Sequence, residues 1–287
     1  MKEIFSSIVQ YLIFGGATTF NQFFILLGPG LILAFFMYYV SRYVERFIHE
    51  LVGRYIYIYG FQIVGTPLHE TGHAIFALLF RHKIIEFAPF KPNPATGLLG
   101  YVKHVYKKNS LYQRIGNFFI GIGPIVLGSL VMYLASVSLL GADTFEPLTA
   151  ITIEDDTFHS LKNAWALVKN IYPGTLAAIS SIFQAENLSR WQFYLFLYLA
   201  LSIGTSINLS PSDVRGALSG FIALVGIVFI FNLATLWIAG DFTRTYLFKL
   251  SRFFSTFYAI MLFALIMDTV AGIFLFLLSR LKRLIFR

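Results

Sequence analysis

The chain contains no cysteine. Disulfides, thiolate metal ligands and cysteine nucleophiles are therefore excluded, and the redox compartment is left open. Charge is nearly as scarce. Only 13% of the 287 residues are Asp, Glu, Lys or Arg, against about 25% in an ordinary soluble domain. By contrast 57% are hydrophobic, and the mean hydropathy is +0.72. These values describe an integral membrane protein whose main partner is the lipid bilayer. The net charge of +8 is not a nucleic-acid signal, because no soluble basic domain carries it. Lys and Arg fall in short connections and at the C-terminus, where cytoplasmic-loop bias and anionic headgroups account for them. A cleaved secretory leader is only a weak expectation, because Lys2 is offset by Glu3 and no clean small-residue cleavage site follows.

In place of charge there are uncharged apolar runs of about 20 residues, the length that crosses a hydrocarbon core. Six of them, near 22–41, 55–80, 117–140, 191–210, 216–239 and 255–279, predict an all-α polytopic membrane protein. Residues 4–20 are also uncharged, but Gly15-Gly16 and Gly28-Pro29-Gly30 can each break the run. The expectation there is an interfacial or re-entrant helix ahead of the first span. "SRYVERFIHELVGR" (41–54) has charged and apolar residues at helical spacing and reads as an amphipathic helix at the outer interface. With six alternating spans and a cytoplasmic N-terminus, 13 of the 22 basic residues lie inside and nine outside. Both termini are then cytoplasmic, and the acidic connection 141–190 lies outside. After the second span, "KIIEFAPF" and "GLLGYVKHVY" flank "KPNPATG", which predicts a small cytoplasmic-side β-hairpin over 84–106.

One span does carry charge. "GTPLHETGHAIFALLF" (65–80) holds His69, Glu70 and His73 in an apolar run, and burying a carboxylate at membrane depth costs at least ~2.5 kcal/mol on insertion scales. Residues four apart share a helix face, so His69 and His73 can offer two imidazoles to one ion. Glu70, one position on, can reach a water held there without being a ligand. Zinc suits this donor set, and its catalytic sites keep a position open for water. Gln62, Gly65, Thr66, His69, Gly72 and His73 form one small, polar stripe. The plainer reading is a histidine pair bonded to Glu70 inside a packed bundle. Ionisable residues within a span are functional by default, which favours the metal.

A third protein ligand is still needed. Asp213, in "INLSPSDVRG", lies at a depth compatible with the histidines, whereas Asp268, in "LIMDTVAG", lies near mid-membrane, where Asn232 can hydrogen-bond it. Asp213 is the better candidate ligand, with an N-cap role beside Pro211 and Ser212 as the competing and compatible reading. The remaining histidines, His49, His82, His104 and His159, read as solvated.

At these residues the chain resembles the site-2 protease family of intramembrane zinc metalloproteases. The features that match are "HETGH" inside a span, the hairpin after it, the glycine-rich "NFFIGIGPIVLG" and "NLSPSD" at the end of a later span. Asn208 and Pro211 keep the family's Asn-x-x-Pro spacing. Asp213 follows the proline by only two residues, and Val214 stands where the family has glycine. The resemblance covers residues 55–215 as a catalytic core, preceded by an N-terminal segment (1–54) and followed by two additional spans and a basic tail (216–287). It implies peptide-bond hydrolysis in membrane-embedded or membrane-proximal protein segments, with one Zn2+ per chain on His69, His73 and Asp213 and Glu70 as general base. The unwound substrate would add to the hairpin edge as a strand. Asn208 would hold the substrate backbone or the oxyanion, or else cap its helix. The plasma membrane of a prokaryote is the expected location. No PDZ-type domain fits the outer connection. Other functions open to these residues are a metal-binding transporter and a catalytically silent scaffold of the same fold.

Overall fold

The architecture comes from a computed structural model. It describes residues 2–93, 96–144, 146, 173–174, 176–236 and 242–285. The acidic run of the 141–190 connection and His159 lie outside the described residues. The helices that build the site and its surroundings are α1 (Lys2–Ile56), α2 (Gln62–Leu79), α3 (Leu111–Leu140), α4 (Trp191–Gly204), α5 (Pro211–Thr235) and α6 (Phe242–Ile285). Strands β1 (Lys83–Ala88) and β2 (Tyr101–Val105) form a two-stranded antiparallel sheet after α2. By length and composition, four stretches can cross a membrane: Leu26–Leu79, Leu111–Leu140, Pro211–Thr235 and Phe257–Ile285.

The N-terminal third differs from expectation. Residues 4–20 are not a separate helix, because α1 runs on through Gly15-Gly16 and Pro29. The glycines serve packing instead. A Cβ on Gly15 would run into Leu233 of α5, and one on Gly30 into Tyr258 of α6. Glycine and proline break helices in water partly because water competes for the freed backbone groups, and hydrocarbon offers no such competitor. A polar knot reinforces this contact. Asn232 Nδ2 donates to Thr19 Oγ1 and Gln22 Oε1 at 2.8 Å each, and Gln22 Nε2 donates back to Asn232 Oδ1 at 3.1 Å. Asn232 therefore bonds α1, not Asp268.

Residues 41–54 continue α1 as well, up to Gly53, whose φ of 83° takes the chain out of helical geometry. The apolar positions of this segment are covered: Val44 and Ile48 are buried with Tyr57 and Ile58, with Leu275 of α6 packed against them. His49 packs against Tyr57 with centroids 4.3 Å apart and the rings tilted by 59°, and its Nε2 is buried, so it is not a solvated residue. A short π-helical turn, Tyr57–Phe61, leads into α2.

The hairpin is as expected, with Lys83 opposite Val105, Ala88 opposite Tyr101 and a bulge between Ile84 and Glu86. The expected 191–210 span is shorter in the structure. Its helix, α4, is 14 residues long and ends at Gly204. Residue 211 is a proline, which drives Ser210 out of helical geometry (ψ 160°) and starts α5 afresh.

Helices α2, α3, α4 and α5 meet through glycine. A Cβ on Gly65 would overlap the Ser202 carbonyl of α4 and the Ser206 side chain just beyond it, and one on Gly121 would meet Ala217 and the Asp213 carbonyl of α5. At the α2–α3 crossing both partners are glycine, and a Cβ on Gly72 would stand 2.8 Å from the Gly123 carbonyl. Small residues let helix backbones touch in lipid, where no hydrophobic force drives helices together. Gly72→Val should therefore lower the melting temperature in detergent by several degrees, the equivalent of about 1–3 kcal/mol of overpacking. Gly226→Ala, where nothing lies within 4 Å, should leave it unchanged.

Candidate metal centre

The two glycine contacts of α2 bring a backbone carbonyl to each histidine. Beside Gly65, the Ser206 carbonyl lies 2.6 Å from His69 Nδ1. Beside Gly72, the Ile120 carbonyl lies 2.7 Å from His73 Nδ1. A carbonyl only accepts, so each Nδ1 carries the proton and each neutral ring turns an Nε2 lone pair inward. The two Nε2 atoms are 3.1 Å apart.

Asp213 completes the triangle. Its Oδ1 is 3.3 Å from His73 Nε2, and its Oδ2 is 3.8 Å from His69 Nε2. The carboxylate also serves its own helix. Ser210 N–H donates to Asp213 Oδ2 at 2.7 Å while Asp213 N–H donates to Ser210 Oγ at 3.2 Å, a reciprocal capping box at the start of α5. Capping and a place in the triangle thus coexist, since the cap engages Oδ2 and leaves Oδ1 facing His73.

The donor set fits a cation. Two ligands bound at about 2.05 Å with a tetrahedral angle stand about 3.3 Å apart. The observed separations are 3.1, 3.3 and 3.8 Å. Three electron-pair donors at these distances, with both Nδ1 protons engaged elsewhere, repel one another unless a positive charge lies between them. His69, His73 and Asp213 are the group among the described residues that could hold a metal ion. Outer contacts of this kind fix the tautomer and aim of a ligand.

Glu70 is buried at 8% exposure. It lines the same cleft of about 360 Å3 as the triangle, and among the described residues it has no hydrogen-bond partner. Asn117, Ser210 and Ser212 also line this cleft, and β2 walls it with Tyr101, Val102 and His104. The polar stripe of α2 continues away from the cleft as a closed network. Gln62 donates to Tyr57 OH and Thr205 Oγ1, and accepts from Thr66 and Ser206.

Asn208, Asp268, His82 and His104 stand outside the triangle. Asn208 donates to the Thr205 carbonyl at 3.0 Å, capping the end of α4, and is not among the residues lining the cleft. Asp268 is 1% exposed, packs against Gly204 and has both oxygens without a hydrogen-bond partner. It is not part of the triangle. His82 and His104 are not solvated: His82 is 4% exposed, its Nε2–H donates to the Gln113 carbonyl at 2.8 Å, and its Nδ1 lies 3.0 Å from His104 Nδ1. No sequence spacing signals this pair, because the hairpin separates its members by 22 residues.

Metal content should follow the triangle. The purified chain is expected to hold about one metal ion, and Asp213→Ala to bind it more weakly than the 10–100-fold loss typical of an outer contact. Asp268→Asn should leave metal per chain unchanged, as measured by elemental analysis after dialysis; the reverse pattern would move the ligand assignment to Asp268.

Compared with models of protein families, with curated proteins and with solved structures, the chain matches none of them.

Proposed function

We propose that the chain is an intramembrane zinc endopeptidase of the site-2 protease kind, hydrolysing peptide bonds in membrane-embedded or membrane-proximal protein segments. The observation that carries the reading is the triangle of three inward electron-pair donors with the unpartnered, buried Glu70 on the wall of the same cleft. His69, His73 and Asp213 would hold the ion. When bound, zinc supplies a Lewis acid that polarises a carbonyl and brings the pKa of water to about 7.

The chain's own residues do the rest. Glu70 takes a proton from water as the oxygen attacks the peptide carbon, and returns it to the departing nitrogen. A helical segment hides its carbonyls in its own hydrogen bonds, so it must unwind before it can react. Among the described residues β2 pairs with β1 alone, and its other edge is free to take up an unwound segment as a further strand. Pairing of this kind keeps the unwound backbone satisfied where water is scarce.

The closed network above the site favours hydrolysis over transport. Gln62, Thr66, Thr205 and Ser206 are bonded to one another, and an ion leaving the triangle in that direction would have to break these bonds. In this reading the chain crosses the membrane six times, with both ends and the hairpin on the cytoplasmic side.

The test uses protein purified in detergent, loaded with zinc and given single-span peptides. Wild type should cleave, and Glu70→Gln should keep about one zinc per chain while losing at least ~100-fold in rate, the lower range for a proton-transfer group. Cleavage that survives in Glu70→Gln would sink the mechanism.

A further inference from the structure

The His82–His104 pair has no part in the mechanism above, yet one of its rings lines the cleft. Its hydrogen bonds fix which nitrogen carries a proton. The Gln113 carbonyl can only accept, so His82 Nε2 carries its hydrogen and His82 Nδ1 presents a lone pair. The Nδ1–Nδ1 contact of 3.0 Å then requires the hydrogen to sit on His104 Nδ1. A neutral His104 is left with a lone pair on Nε2, and that atom has no partner among the described residues.

The relay is firmly anchored. Gln113 donates through Nε2 to the Arg81 carbonyl at 2.8 Å and accepts at Oε1 from Lys107 N–H at 2.6 Å, which ties both ends of the hairpin to α3. His82 stacks on Tyr106 with an interplanar angle of 18°. A Cβ on Gly116 would come within 3.1 Å of His82 Nε2, so glycine there gives the ring its room. Burial pushes His104 down to about 4, which keeps it neutral near pH 7.

We propose that His104 Nε2 is the acceptor for the backbone N–H of the peptide bond seated in the cleft, and so a catalytic residue of the hydrolysis proposed above. A peptide bond brings two poles into a site with little water. The triangle and its ion answer the carbonyl; something must answer the N–H, because an unmet amide is expensive to bury. Most acceptors of the cleft are already engaged. His69, His73 and Asp213 face one another, Glu70 serves the water, and Tyr101 OH is bonded to Glu86. Ser210 and Ser212 bond each other at 2.7 Å. His104 stands on β2, the strand whose open edge would receive the segment. It takes no proton in the reaction: the N–H hydrogen stays on nitrogen, and the hydrogen that nitrogen gains comes from water through Glu70.

The inference rests on the peptidase reading, and its test separates the two. The cut site in a fluorogenic single-span peptide is mapped with zinc-loaded wild type, and that amide is then replaced by an ester, which has no N–H. His104→Phe should lower kcat/KM for the amide peptide about tenfold, the worth of one hydrogen bond in a dry site. It should leave the ester peptide within twofold of wild type, and keep zinc content and melting temperature. His104→Gln, which sets an amide oxygen near the place of Nε2, should recover most of the loss. On the inactive Glu70→Gln background, fluorescence anisotropy should show the same amide-selective weakening of binding in His104→Phe. Equal losses on amide and ester, loss of zinc, or full activity in His104→Phe would each overturn the inference. So would an amide-selective loss that appears in Asn117→Leu instead. A wild type that cleaves no peptide refutes the peptidase reading, and this inference falls with it.

Discussion

The site depends on how closely the backbone of α2 approaches its neighbours. Gly65 lies against Ser202 of α4 and Ser206 just beyond it, and Gly72 against Gly123 of α3. These contacts bring two main-chain carbonyls within 2.6 and 2.7 Å of the two imidazoles. A larger residue at either place would push a carbonyl away, free the tautomer of a histidine and let its ring turn. In lipid the apolar side chains give helices little reason to prefer one another over the solvent, so van der Waals fit at small residues sets the geometry. The chemistry of the site is therefore written as much in its glycines as in its histidines.

Asp213 shows the same economy at the opposite wall. It stands two residues after Pro211, and that spacing puts it third in a helix capped by Ser210. The third position is the one from which a side chain can reach back to the N-cap backbone. The capping box holds the carboxylate by one oxygen and leaves the other 3.3 Å from His73. The spacing that departs from the site-2 protease pattern thus has a physical reason within this chain: it serves the start of α5 and the aim of a donor at once.

Much of this was legible before any coordinates. The class followed from missing charge, the hairpin from two β-rich runs around Pro and Gly, and the pair His69 and His73 from helical periodicity within an apolar run. Asp213 could be preferred to Asp268 by depth alone. The failures share one cause, which is that tertiary context outranks local signals. Gly15 and Pro29 read as breakers because local rules assume water, whereas Gly15 and Gly30 mark where Leu233 and Tyr258 cross α1. Asn208 fits one of its two readings, the helix-end cap, through its bond to the Thr205 carbonyl. His82 and His104 had no spacing to betray them, since only the hairpin and Gln113 bring them together.

The buried polar groups fall into three kinds, and the distinction says where chemistry can occur. Thr19, Gln22 and Asn232 match donors to acceptors and close on themselves, which makes them packing. Asp268 has no hydrogen-bond partner among the described residues and packs against Gly204, outside the cleft. Among the described residues, the cleft is where acceptors outnumber donors while space remains beside them. His69, His73, Asp213, Glu70 and His104 all present lone pairs or carboxylate oxygens there, and every proton that would quiet the imidazoles is held on the far side of the ring. Such a surplus is unstable by itself in a medium of low dielectric. In the proposed reading the missing positive ends are a cation for the triangle, a water proton for Glu70 and an amide N–H for His104. A peptide bond arriving with water at a metal centre would bring all of these together, which is the ground for proposing one reaction site.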